Sequence, residues 1–219
     1  HQPPRHRHSL GQPHGDTLPD ADGLDAIDVT STAWAAELAG FTGSPVTFAA
    51  TAPDDLFMLI FTSGTSGEPK AVRCTHEKVA GPGVMIAERF GLGAADTCYL
   101  SMPLFHSNAV MAGWSPAVAA GASIALRRKF SATQFWKDVV AEGCTMFVYI
   151  GELCRYLVNH EEDPDETRHK LRLAFGNGLA ADVWRQFIDR FAIPEVLEFY
   201  GATEGNVSMF NFGGPVGAC

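Results

Sequence analysis

The sequence predicts an α/β fold, a mostly parallel sheet with helices on both faces. Short apolar runs alternate with helical patterns from Leu56 to Tyr200, which is the signature of strand–helix–strand units. Gly- or polar-rich loops, TSGTSGEPK, PLFHSN, GNG and GATEGN, follow four of those runs. With 46% hydrophobic residues in 219, the chain can also fill a core of that kind.

Residues 1–28 hold four of the eight histidines (His1, His6, His8, His14) and four prolines without apolar periodicity, so they predict a solvated lead-in. A metal-binding His cluster is the competing reading of that tract, but loose spacing among prolines seldom fixes a coordination geometry. Thr30 to Ala39 predicts a short helix with Trp34 and Leu38 on one face, stopped by Gly40. We expect residues 1–50 to form a flexible His/Pro-rich lead-in and linker, and 51–219 to form one domain.

Leu56 to Phe61 is six apolar residues in a row, the length of a buried strand, and its loop would open at one edge of the sheet. Ala71 to Cys74 is extended, and Thr75 can cap a helix running towards Phe90, with Gly81, Pro82 and Gly83 as poor helix formers in its middle. Thr97 to Met102 predicts a strand, Ala109 to Ala120 an apolar helix ended by Gly121, and Ser123 to Leu126 the next strand. Ser131 with Gln134 reads as a capping box for a helix that stops at Gly143. Thr145 to Ile150 is a strand, Gly151 and Glu152 open a helix, and EEDPDETRHK is a surface connection. Leu171 to Phe175 is a strand, Ala180 to Phe191 a helix and Val196 to Tyr200 a strand. If these strands are parallel, their loops share the carboxyl rim where ligands collect.

The charge balance is acidic, −9 from 16 basic and 25 acidic residues, which argues against nucleic acid or an anionic membrane surface as the main partner. The five cysteines, Cys74, Cys98, Cys144, Cys154 and Cys219, are odd in number and never spaced C-x-x-C, which indicates neither a disulfide framework nor a zinc site. Reduced thiols of a cytoplasmic protein are the default. No apolar run reaches the length of a membrane span.

The loop after Phe61 carries the first candidate chemistry. Thr62, Ser63, Thr65 and Ser66 offer hydroxyls, Gly64 and Gly67 admit close backbone approach, and Lys70 supplies a compact cation, a set suited to a polyphosphate. An ordinary Ser/Thr/Gly surface turn has the same composition. A Walker loop needs Gly, four residues, then Gly-Lys-Ser/Thr. Counting from Gly64 reaches Pro69, and Ala71 follows Lys70, so that match fails.

The chain does resemble the adenylate-forming acyl-CoA synthetase superfamily. TSGTSGEPK at Thr62 to Lys70 is similar to its phosphate-binding signature, PLFH at Pro103 to His106 to its acyl-pocket motif, and YGATEG at Tyr200 to Gly205 to its nucleotide and magnesium motif. RKFSATQFW, YIGELCRYL, GNGL and YGATEGN further resemble the fatty acid transport protein branch, the very-long-chain acyl-CoA synthetases. The resemblance implies part of the family's N-terminal large adenylation domain. It also implies ATP, Mg²⁺ and coenzyme A as ligands beside a fatty acid, and a ligase activity that makes an acyl-adenylate and then an acyl-CoA.

Carried over residue by residue, Thr62, Ser63, Gly64, Thr65, Ser66, Gly67 and Lys70 would hold the β and γ phosphates. Gly176, Asn177 and Gly178 would border adenine, Tyr200 would stack on it, and Gly201, Ala202 and Thr203 would complete the nucleotide site. Thr203 would donate to an α-phosphate oxygen, Glu204 would bind Mg²⁺, and His106 would orient or gate the acyl carboxylate.

Plainer readings stand beside these. Glu204 could be a surface carboxylate, Thr203 a turn hydroxyl, Tyr200 core, GNG a turn and His106 a structural histidine. Glu152 suits a helix N-terminus, Arg127, Arg128 and Lys129 a solvated strand end, and Phe135, Trp136, Trp184, Phe187 and Phe191 packing. Ser66 stands where the family usually has a second Thr, and Glu68 sets a negative charge beside the phosphates. The family continues past its third motif with a ribose-binding aspartate, a hinge and a lid domain with a catalytic lysine, so we expect this chain to be an internal fragment. The alternative function is a non-catalytic nucleotide-binding or lipid-handling fragment. The resemblance leaves peripheral membrane contact of the longer parent and the oligomeric state open.

Overall fold

The computed structural model describes residues 8–10, 26–63, 69–205, 208–213 and 216. The chain divides into two compact units, His1–Ala50 and Thr51–Cys219. In the first, β1 (His8–Leu10) pairs in parallel with β2 (Ala26–Asp28). Helix α1 (Thr32–Ala39) follows, its first turn closed by Ser31, whose hydroxyl accepts from the Trp34 N–H. The remaining residues of the expected solvated lead-in lie outside the described residues.

The second unit holds a six-stranded sheet in the order β10-β9-β8-β7-β5-β6. It is preceded by β3 (Leu56–Ser63), β4 (Pro69–Thr75) and α2 (His76–Arg89). The sheet then runs from β5 (Thr97–Leu100) through a π-helical segment, Asn108–Trp114, and α3 (Ser115–Ala120) to β6 (Ser123–Leu126). Helix α4 (Ala132–Ala141), β7 (Met146–Ile150) and α5 (Gly151–Val158) come next. The chain continues through β8 (Leu173–Asn177), α6 (Ala181–Phe191) and β9 (Glu195–Gly201) to β10 (Ser208–Asn211). All pairings in this sheet are parallel except β9 with β10. The step from β5 to β6 runs opposite to the three later steps along the sheet. Right-handed crossovers therefore put α3 on one face and α4, α5 and α6 on the other, which is the expected two-faced α/β architecture. The sheet buries Phe147, Val148, Tyr149, Leu173 and Phe175 completely, and Phe135, Trp136, Trp184, Phe187 and Phe191 pack on it as core.

Five local expectations need correction. First, the Leu56–Phe61 run is not a strand buried on both faces, and it does not belong to the six-stranded sheet. β3 pairs antiparallel with β4 in a separate hairpin whose faces alternate. Ile60 is 2% exposed and packs with Cys74, Val79 and Val110, whereas Leu59 and Phe61 are 43% and 66% exposed. Second, Ser131 heads α4 without a side-chain cap bond, so the capping box is unformed. Third, the apolar helix after His106 begins at Asn108 and is π-helical before it becomes α-helical. Fourth, the acidic connection is partly buried. Asp163 and Glu166 form a capping box over Pro164–Thr167, and Glu166 pairs with Arg190 at 2.8 Å. Arg127 is likewise not a free strand end, since it binds Asp138 at 2.7 Å and Glu142 at 2.9 Å.

Candidate active site at the carboxyl rim of the sheet

The loops after β5, β8 and β9 meet at the carboxyl ends of parallel strands. Each is tied by a side chain rather than by backbone pairing alone. After β5, the His106 N–H donates to the Pro103 carbonyl at 3.0 Å and turns the chain into the π-helical segment. That turn presents Ser107 and Asn108. The Ser107 and Thr203 hydroxyls lie 3.0 Å apart, which joins the PLFHS loop to the loop after β9. The Asn108 amide donates to the side-chain oxygen of Asn177 and, at 3.4 Å, to the Tyr149 carbonyl, which joins the same turn to the ends of β8 and β7. π-Helical segments are rare and concentrate at functional sites. This one starts at the residue making that bridge.

Two further contacts shape the rim. Gly176 lies under Tyr149, whose hydroxyl crosses β8 to donate to the Leu197 carbonyl at 3.0 Å. A Cβ at Gly176 would stand 2.2 Å from the Tyr149 carbonyl oxygen, so only glycine fits. Glu198, 3% exposed in β9, accepts from the Leu179 N–H and so holds the GNGL loop. Burial pushes its carboxyl above the usual range, and the Leu179 N–H partly opposes the shift. The thiols of Cys98 and Cys144 are buried and pushed up to about 12, so neither is poised as a thiolate.

A cavity of about 340 Å³ opens between this rim and α2. Its wall is apolar along Pro82, Ile86, Met111, Phe175, Phe199 and Phe210, with polar groups from Lys78, Ser107, Asn108 and Asn177. An apolar hollow with a few converging polar groups is the general form of a small-molecule site. Of the residues singled out from sequence, Asn177, Gly201 and Ala202 line it. Thr203 is half-buried and bonded to Ser107, while Tyr200, Glu204 and His106 are exposed, the His106 ring lying against Phe105. Gly178 is exposed at φ +75°.

The described residues of the phosphate-loop motif do not line the cavity. Thr62 and Lys70 sit opposite each other at the end of the β3–β4 hairpin, Thr62 half-buried and Lys70 exposed. Ser63 is the last residue of β3, and Gly64, Thr65, Ser66, Gly67 and Glu68 lie outside the described residues. Lys78, Ser107 and Asn108 were not singled out from sequence. The last two directly continue PLFH, so extending that motif by two residues would have found them, whereas no local signal marks Lys78.

A family model described as AMP-binding enzyme matches residues 5–217. The medium/long-chain-fatty-acid–CoA ligase FadD17 of Mycobacterium marinum is 49% identical over 189 residues, 86% of this chain and 37% of its own length. Long-chain fatty acid transport protein 2 of Rattus norvegicus is 46% identical over 159 residues, 73% of this chain and 26% of its own length. Among solved structures, a malonyl-CoA ligase in a ternary product complex with methylmalonyl-CoA and AMP superposes with a TM-score of 0.73 at 22% identity. That match covers 93% of this chain and 44% of the other and bears on the fold alone. The chain thus spans well under half the length of the curated relatives named here. No helix among the described residues is long and apolar enough to cross a membrane.

Proposed function

The chain belongs to the AMP-binding enzyme family, and from that premise we propose that the whole protein activates a long- or very-long-chain fatty acid with ATP. The substrate carboxylate attacks the α-phosphorus, the bond to the β-phosphate breaks, and pyrophosphate leaves from an acyl-adenylate. The sulfur of coenzyme A then attacks the acyl carbonyl, AMP departs, and an acyl-CoA results. The observation that carries this reading is the 3.0 Å contact between Ser107 and Thr203. It joins the PLFHS loop to the loop after β9 beside an apolar cavity, which supports an acyl site next to a nucleotide site.

We assign the roles residue by residue from the motifs. Thr203 donates to the α-phosphate as charge develops there, with Ser107 fixing its hydroxyl. Tyr200, exposed at the end of β9, offers its face to adenine beside Gly176, Asn177 and Gly178. His106, free of the core, orients the carboxylate. Thr62 through Lys70 hold the β and γ phosphates, and the Lys70 ammonium steadies departing pyrophosphate. Glu204 fits Mg²⁺. Among the described residues no group of three or more His, Cys, Asp or Glu side chains converges. Mg²⁺ is commonly held by one or two carboxylates with phosphates and waters filling the rest. When bound, the ion would neutralise phosphate charge.

The test is fatty-acid-dependent exchange of labelled pyrophosphate into ATP by the full-length protein. Thr203→Val should lower the exchange rate by roughly 10²-fold or more, the scale of losing one transition-state hydrogen bond. Absence of exchange with medium, long and very long acids would sink the proposal.

A further inference from the structure

Lys78 belongs to none of the sequence motifs, yet among the described residues it makes the longest-range side-chain bond at the rim. It is the third residue of α2, half-buried, in the turn that Thr75 caps by accepting the Lys78 N–H at 3.2 Å. Its stem lines the cavity, and its ammonium donates to the Glu204 carbonyl at 2.8 Å, 126 residues away in sequence.

The turn that receives it is closed in two ways. Internally, the Gly205 N–H returns to the Ala202 carbonyl at 2.9 Å, with Gly205 at φ +78°. Externally, Lys78 packs against the same residue, since a Cβ on Gly205 would lie 3.0 Å from Lys78 Cε and 3.5 Å from Nζ. Thr203 and Glu204 are the two residues inside that closure. On the other side, α2 continues without a break from β4, which begins with Pro69 and Lys70. One ammonium therefore links the element bearing Lys70 to the loop bearing Thr203 and Glu204.

We propose that Lys78 is a positioning residue whose ammonium clamps the 202–205 turn, fixing Thr203 and Glu204 relative to the Lys70-bearing hairpin. The catalytic consequence rests on the adenylation reading above; the clamp itself does not. Lys78→Met keeps the stem and deletes the donor, whereas Lys78→Arg keeps a donor. Amide hydrogen exchange on the 219-residue chain reads the clamp directly. In Lys78→Met the Gly205 amide should exchange roughly two- to tenfold faster, the range set by one net hydrogen bond. Lys78→Arg should restore it, and the β8 amides should keep their wild-type rates. Unchanged exchange at Gly205 overturns the clamp. Equal acceleration at Gly205 and in β8 also overturns it, because that pattern marks general loosening of the fold.

A titration with Mg²⁺ and ATP separates the two ideas. The clamp working within an adenylation site predicts that Lys78→Met weakens binding of Mg·ATP by a similar factor and that Lys78→Arg restores it. If the full-length wild-type protein bound no Mg·ATP while Gly205 still exchanged faster in Lys78→Met, the adenylation reading would lose its support and the clamp would stand.

Discussion

Replacing Gly176 with alanine should cost this protein a large share of its stability, and the structure sets the size of the loss. Gly176 is paired to Tyr149 on one side and Glu198 on the other, in the middle of the sheet. The added methyl would meet the Tyr149 carbonyl oxygen at 2.2 Å and its ring at 2.6 Å. Ordinary contact lies more than 1 Å farther out, at about 3.5–4.0 Å for heavy atoms. The neighbour has nowhere to go, because Phe147, Val148 and Tyr149 are all 0% exposed. Overpacking of this kind costs about 1–3 kcal/mol. Moving the Tyr149 ring also breaks its hydroxyl bond to the Leu197 carbonyl, worth about 1 kcal/mol. The sum is roughly 3 kcal/mol out of a typical 5–15. Urea denaturation followed by tryptophan fluorescence measures it, with Tyr149→Phe as the reference that removes the hydroxyl alone and should lose only about 1 kcal/mol. A Gly176→Ala midpoint within experimental error of wild type, at the same slope, would refute the account of how β7, β8 and β9 are locked together.

Two further outcomes are expected. Because burial raises the Glu198 carboxyl, the folded chain holds that proton more tightly than the unfolded one. Stability should therefore fall as pH rises from about 4.5 through the raised value. Glu198→Gln should flatten that decline, as read from denaturation midpoints taken across the acid range; an unaltered pH slope would remove Glu198 as its source. In the β3–β4 hairpin, Ile60→Ala should cost about 3 kcal/mol, whereas Phe61→Ser should change stability by no more than about 0.5 kcal/mol. Equal losses at the two neighbours would contradict the alternation of buried and exposed faces.

The sheet was legible in the sequence because its signals are local. Strand runs such as Thr145–Ile150 and helix ends such as Gly121, at φ +65°, are written in a few consecutive residues. The hairpin was misread for a physical reason. Six consecutive apolar residues look the same whether both faces are buried or one row is left outward, and only the partner strand decides. The capping box at Ser131 does not form although Ser131 is extended, because the Gln134 N–H donates to the Ser131 carbonyl at 3.1 Å rather than to its hydroxyl. Glu166 reads as solvated among EEDPDE until Arg190, 24 residues later, is folded against it.

The same division explains which parts of the candidate site were legible. Loop composition announced where Thr203 and Asn177 stand, because a strand end followed by Gly, Ser, Thr or Asn is a local pattern. The bonds that assemble those loops span 96, 69 and 126 residues, from Ser107 to Thr203, Asn108 to Asn177 and Lys78 to Glu204. Parallel strands bring such partners together only after helices have carried the chain across the sheet, so no window of neighbouring residues contains both ends of any of these contacts. A rim built this way can keep its motifs and still lose its geometry. Substitutions at Ser107, Asn108 and Lys78 leave every motif from Thr62 to Lys70 and from Tyr200 to Gly205 intact, yet each removes one of the ties that hold those motifs in place.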